Sequence, residues 1–320
     1  MELNDNKEKS AIDFDKKMAE LIEDLDKKEF EEIKSISLFH YTNLEAMHNI
    51  IRTNTLWATN CEYLNDLMEL KEMDNLFNNY IEGVNDNFKL FFNNHKNEAM
   101  KTFEQIRKQT YIISFANDNN SIAMWRTYGR NGIVLEFDTI RILEILQSVH
   151  LNRLINKQLK VCGRDGEVKN TNAGIYFAKA IYNENEIIEL FNSLHKDSKM
   201  VGLDYINKLN GEDYFQSTLD YIFYKPYLYL KDKNFSYEKE CRLAFILQDN
   251  CIKEVENFRI NNNLIIPYIS IDLSGGEKIP IKSITINPEQ KDSMYEESLC
   301  RLLKAYNYNI PIHYADNKIR

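Results

Sequence analysis

Four short stretches of the chain carry side chains able to do chemistry on a sugar, a phosphate or a planar ring. The first is Phe39-His40-Tyr41-Thr42. A neutral imidazole has one nitrogen that donates and one that accepts, which suits a sugar hydroxyl or a phosphate; the same ring can equally tie a strand end to a neighbouring carbonyl. The second is Leu56-Trp57-Ala58-Thr59-Asn60, with Asn65-Asp66 shortly after. Asn65 and Asp66 are also good helix caps, because their side-chain oxygens accept from free backbone amides. The third, Ser114-Phe115 followed by Trp125-Arg126 and Tyr128, sets aromatic rings beside a guanidinium fork that can hold a phosphate. A core Trp125 with Arg126 in solvent would give the same spacing. The fourth is Glu238-Lys239-Glu240-Cys241-Arg242. Alternation in an extended chain puts Glu238, Glu240 and Arg242 on one face. A carboxylate kept ionised by an arginine stabilises positive charge developing on a sugar, or serves as an ordinary structural pair.

The surrounding pattern predicts an α+β fold that would carry these stretches at strand ends. Residues 1–34 alternate acidic and basic blocks around Ile12, Phe14, Met18, Leu21, Ile22, Leu25 and Phe30, the spacing of a charged helix. A strand from Ile36 to Tyr41 then leads into a helix opened by Thr42 and Glu45 at capping-box spacing. Further strands are predicted over 55–59, 111–115, 132–138, 174–183, 240–247, 264–272, 281–287 and 308–314, with a short helix or turn over 121–128 and a helix over 289–306. A polar helix beginning at Asn65-Asp66 runs toward Asn94, in a region of roughly 67–110 that reads as a helical pair covering the sheet. The expectation is a single domain over 35–320, a central mixed sheet split by helical insertions at about 67–110 and 184–230.

Composition removes several classes of function. With 43% hydrophobic residues in 320, the chain can bury a sizeable core. It has no run of about 18 to 20 apolar residues able to span a bilayer, and its charged N-terminus lacks the apolar stretch of a secretion signal, so a cytoplasmic protein with no membrane partner is expected. Cys61, Cys162, Cys241, Cys251 and Cys300 form no Cys-x-x-Cys pair, and the six histidines no zinc spacing, so no metal is expected. A net charge of −9 argues against general binding to a phosphate backbone. No glycine-rich dinucleotide fingerprint, phosphate-loop lysine motif or nucleophile elbow is present.

In this order, His40-Tyr41-Thr42, Leu56 to Asn60 with Asn65-Asp66, Ser114-Phe115 with Trp125 and Tyr128, and Glu240 with Arg242 resemble a bacterial family known only as domain of unknown function 2971. The C-terminal Ile284 to Pro288 and Ile310 to His313 are similar to that family's closing strand, helix and strand. Two turns depart from its pattern, at Asn287-Pro288 and at Leu67-Met68. A looser resemblance is to the His-Tyr-Glu layout of ADP-ribosyl transferases. It implies a transferase-like fold and an enzyme that uses NAD as substrate, as an ADP-ribosyl transferase or NAD glycohydrolase acting as a toxin or anti-phage defence effector. His40 would then bond the adenosine-side ribose, Trp125 or Tyr128 would stack on nicotinamide, and Arg126 or Arg130 would hold the pyrophosphate. Glu240, oriented by Arg242, would stabilise the oxocarbenium-like transition state. Tyr41, Thr42, Trp57, Asn60, Asn65, Asp66 and Ser114 would complete the NAD site. The acceptor, protein or nucleic acid, and any antitoxin or sensor partner stay open. Two other classes compete: a non-enzymatic nucleotide-binding or phage-sensing module, and a nuclease in which Asp66, Glu69 and Glu240 gather magnesium.

Overall fold

The computed structural model describes residues 16, 20, 23–24, 27–64, 69–84, 88–129, 132–146, 157–163, 166–201, 227–261, 263–290 and 292–316. After helix α1 (27–34), strand β1 (Leu38–Asn43) leads into α2 (Leu44–Thr53) and β2 (Thr55–Asn60). Helices α3 (Glu69–Glu82) and α4 (Phe88–Ile106) precede β3 (Thr110–Ala116), α5 (Ile122–Thr127), β4 (Gly132–Phe137) and α6 (Thr139–Ile145). The hairpin of β5 (Lys157–Cys162) and β6 (Val168–Lys179) is followed by α7 (Glu184–Val201). The last elements are β7 (Glu240–Leu247), α8 (Asp249–Val255), β8 (Asn257–Asn261), β9 (Leu264–Asp272), β10 (Ile281–Ile286), α9 (Ser293–Ala305) and β11 (Ile312–Tyr314).

Among the described residues the eleven strands join one sheet, mixed because β10 and β11 run parallel while the other pairs are antiparallel. The protein is α+β, as its pattern predicts. The sheet is not a flat layer. Strand β3 pairs with β2 on one side and β7 on the other, and the path β2, β9, β5, β6, β7 returns to β3, so six strands close on themselves. Strands β1, β4, β10 and β11 leave this ring as an arm, joined to it by the single pair Phe39 and Ala116.

The fork follows from the edges of β3. Strand β7 occupies one edge from Thr110 to Ala116. The other edge is shared: β2 pairs only at Ile112 and Tyr111, and β1 only at Ala116. Both newcomers run antiparallel to β3 and would meet over Ile113 to Phe115, so they diverge, β1 to β4 and β2 to β9. Helix α2 bridges the separated ends and buries Met47, Ile50 and Ile51. The main apolar core runs through both ring and arm, from Leu38, Leu135 and Ile284 to Phe177, Phe245 and Ile269. Helices α3, α4 and α7 carry a second aromatic cluster, in which Phe77 stacks on Phe191 at 5.1 Å and contacts Phe92.

Several local expectations are corrected. Thr42 does not open α2: it continues β1 opposite Ile133, and the Asn43 side chain accepts from the Ala46 amide instead. The helical pair expected over roughly 67–110 is present as α3 and α4, but its first helix ends at Glu82, with Gly83 just beyond it, rather than continuing toward Asn94. Of the charged helix predicted over 1–34, residues 16, 20, 23–24 and 27–34 are helical, and the other positions, like the part of the helical insertion over 202–226, lie outside the described residues. Strand β6 starts at Val168 rather than 174, and β5, β8, α6 and α8 were not predicted. No helix among the described residues is long and apolar enough to cross a membrane.

The arm depends on a close approach at Gly132, which pairs with Asn43; a Cβ there would lie 2.0 Å from the Thr42 carbonyl oxygen. Backbone cannot yield as a flexible side chain can. Gly132→Ala is therefore expected to destabilise the protein by roughly 1–3 kcal/mol, read as a lowered midpoint in urea unfolding with an unchanged m-value.

Candidate functional site

A cavity of about 290 Å³ opens where β1 and β2 part. Its floor is β3 from Ile112 to Ala116, uncovered between Ile113 and Phe115, its walls are β1 and β2, α2 closes one side with Ala46 and Ile50, and the segment 231–242 closes the other. His40, Tyr41, Thr42, Trp57, Ser114, Tyr128, Glu240 and Arg242, eight of the residues expected from sequence, line this one space.

His40 fills a gap in the backbone pairing. The Ser114 carbonyl lies in the part of β3 that neither β1 nor β2 covers, and His40 Nδ1 donates to it at 3.1 Å. Since a carbonyl can only accept, Nδ1 carries the proton and Nε2 is left as the acceptor. Burial, reinforced by the Arg259 charge, pushes the imidazole below its ordinary pKa despite the Ser114 bond, so it is neutral at pH 7.

Opposite stands a buried ion network. Lys231 Nζ donates to Glu238 Oε2 at 2.6 Å and to Glu240 Oε2 at 2.8 Å, and Arg242 donates to that same Glu240 oxygen at 3.1 Å and to the Leu228 carbonyl at 2.9 Å. The Tyr128 hydroxyl donates to Glu238 Oε1 at 3.3 Å. Burial raises the Glu240 carboxyl, but the charges and hydrogen bonds of Arg242 and Lys231 outweigh it and bring the pKa down to about 2. The same two carboxylates raise Lys231 against the opposing effect of burial. Glu240 Oε2 is thus fully engaged, while among the described residues Oε1 has no partner.

Local structure sets this geometry. The backbone of Lys231 bonds to Ile181, which pairs with Leu230 in a short parallel bridge. Glu238 ends the 3-10 helix Lys233–Glu238, and Lys239 takes a left-handed φ of 44° before β7 begins. This corrects the expectation that Glu238, Glu240 and Arg242 share a face by strand alternation. Glu238 is outside the strand, and the turn at Lys239 together with Lys231 brings it beside Glu240.

Three expected residues are placed elsewhere. Asn60 is a structural cap, donating to the Lys108 carbonyl and accepting from the Glu62 amide. Trp125 is fully buried, packs edge-on against Tyr41 at 5.3 Å and donates to the Asn119 carbonyl. Arg126 is exposed near the end of α5 and does not line the cavity. Asn65, Asp66 and Arg130 lie outside the described residues. The reading of the sequence missed Lys231 and Arg259 altogether and gave Glu238 only a place on a strand face. Among the described residues no group of three or more His, Cys, Asp or Glu is arranged to hold a metal ion.

Fold and site together define an α+β protein with a forked mixed sheet and, at the fork, a cavity lined by both apolar and charged side chains. Residues 124–243 match the family described as "Protein of unknown function (DUF2971)", a span that runs from within α5 to the first half of β7 and includes Tyr128, Lys231, Glu238, Glu240 and Arg242. No curated protein and no solved structure matches the chain.

Removing Lys231 would leave two adjacent buried carboxylates. Lys231→Met is expected to cost roughly 3–5 kcal/mol at pH 7, the range for breaking a buried pair from one side. Because the folded-state pKa of Glu240 is depressed, its stabilising effect is present above the ordinary value of 4.5 and lost as pH falls toward about 2. Denaturation of the wild type across pH 7 to 2 should show that decline, and in Lys231→Met it should begin at higher pH.

Proposed function

We propose that the cavity binds NAD and cleaves its nicotinamide-ribose bond, transferring the ADP-ribosyl group to an acceptor or to water. The observation that carries this reading is the two-sided state of Glu240: Oε2 is clamped by Lys231 and Arg242, and Oε1 is left to a ligand in the cavity. A carboxylate fixed and ionised in this way needs no reorganisation as positive charge develops on a sugar carbon. In the proposed step the bond from the ribose anomeric carbon to the nicotinamide nitrogen breaks, and its electron pair leaves with nicotinamide. Glu240 Oε1 accepts from a ribose hydroxyl and stabilises the oxocarbenium-like carbon. The acceptor's lone pair then forms the new bond and its proton is lost. His40 Nε2 accepts from a second ribose hydroxyl, and Tyr128, about 37% exposed and bonded to Glu238, offers its ring to nicotinamide. An enzyme of this kind consuming cellular NAD or modifying a cellular acceptor would serve as a toxin or defence effector.

A non-enzymatic nucleotide sensor is favoured by one feature, the engagement of both carboxylates by Lys231, which reads as a rigid binding wall. Nicotinamide release separates the two. With labelled NAD and cell lysate, the wild type is expected to release nicotinamide, and Glu240→Gln to lose at least about a hundredfold in rate while keeping wild-type circular dichroism. Binding of NAD without release by the wild type would establish the sensor instead.

A further inference from the structure

The charges lining the cavity do not balance. Lys231 and Arg242 are matched by Glu238 and Glu240, but the third cation, Arg259, lies on the other wall. It reaches from β8 to β2, where its NH2 donates to the Thr59 hydroxyl at 2.9 Å, and its guanidinium sits 5.8 Å from the centre of the Trp57 ring. Trp57 in turn packs against Tyr268 at 4.5 Å, so the wall behind the cation is aromatic. Among the described residues no carboxylate pairs with Arg259, and its Nε is buried without an acceptor. Burial lowers its pKa, the expected response of a charge removed from water without a counter-ion. A guanidinium offers five N–H donors in a planar fork, and one hydroxyl uses little of that capacity.

We infer that Arg259, backed by Trp57 and steered by Thr59, is the anchor for a phosphate group of the cavity's ligand, of which the cavity holds one mononucleotide-sized half with its sugar toward Glu240. The size follows from the volume: about 290 Å³ is at the lower end of ligand pockets, which run from roughly 300 to 1,000 Å³, and takes one nucleotide half of a dinucleotide. The inference deepens the NAD reading and rests on it for the identity of the sugar and base. It supplies the phosphate contact that Arg126, outside the cavity, does not make.

The chain has two tryptophans, and Trp125 is fully buried in the core, so a ligand-induced change in tryptophan emission reports on Trp57. Calorimetry and emission would be followed on the full chain with nicotinamide mononucleotide, nicotinamide riboside, ribose 5-phosphate and inorganic phosphate. The phosphate-bearing nucleotide is expected to bind about tenfold to hundredfold tighter than the riboside, the range for hydrogen bonds to a charged group. That ratio should vanish in Arg259→Gln, survive in part in Arg259→Lys, and the emission change should disappear in Trp57→Phe. Equal binding of nucleotide and riboside, no saturable binding of any phosphate-bearing probe, or an unchanged ratio in a folded Arg259→Gln would overturn it. Phosphate-dependent binding through Arg259 without NAD cleavage would keep the anchor and remove the enzymatic reading; cleavage indifferent to Arg259→Gln would do the reverse.

Discussion

A strand has two edges, and on β3 three strands compete for them. Strand β7 holds one edge along its whole length, so β1 and β2 must divide the other, and antiparallel strands approaching from opposite ends cannot both stay. Their divergence turns one sheet into a closed ring and an arm, and it leaves the middle of β3 uncovered. An uncovered backbone carbonyl away from water needs a donor. His40 supplies it to Ser114, and in doing so fixes its own tautomer with Nε2 as acceptor. The same constraint creates the cavity and orients the first polar group inside it.

The opposite wall is held by charge rather than by pairing. Burying two carboxylates and two cations carries a large desolvation cost, and the attraction among them often does little more than offset it. Such a network is better explained by the positions it enforces than by stability. Lys231 joins the end of the 3-10 helix to the start of β7, and Lys239, between the two acids, turns outward to Asp118. The Tyr41 hydroxyl donates to the Asp118 carbonyl, so the loop after β3 is tied to both walls. Glu240 is thereby fixed to about the precision of the strand that carries it, with its second oxygen open.

The elements closest to the fork were the most legible in the sequence. Strands β3, β4 and β7 are short apolar runs bounded by polar residues, and α5 is announced by Ser121 at its cap. The convergence of His40, Trp57, Ser114, Tyr128 and Glu240 was expected from strand ends, but only Glu240 begins a strand: His40, Trp57 and Ser114 lie within β1, β2 and β3, and Tyr128 caps α5. Partners far apart in the chain could not be read. Arg259 meets Thr59 across 200 positions, and only Thr59 falls in a stretch whose side chains suggest chemistry. One signal was available: in Asn257-Phe258-Arg259-Ile260-Asn261 the apolar residues face out and Arg259 faces in, the inverse of an ordinary edge strand. Trp125 shows the opposite failure. Its spacing suits a ring platform, but Gly129 packs so tightly on its face that a Cβ there would lie 2.5 Å from the indole, and the ring belongs to the core.

The contrast between the charge of the whole chain and that of its cavity narrows the ligand further. A chain with net charge −9 repels an extended polyanion, whose many phosphates sample the outer field together. A small anion that enters the cavity meets instead one uncompensated guanidinium, screened from bulk solvent and backed by an indole. Interaction at close range in a poorly solvated space outweighs the diffuse repulsion that salt screens over about 8 to 10 Å. On the proposed reading, the arrangement would separate a single phosphate ester from a nucleic-acid backbone by geometry as well as by charge. At the other end, the clamped Glu240 favours a neutral hydroxyl over a second phosphate, because another anion beside Oε1 would face a carboxylate whose proton is lost at about pH 2. In the arrangement we propose, phosphate at one wall and sugar hydroxyl at the other would match the polarity of a nucleotide, with the fork in the sheet setting the distance between them.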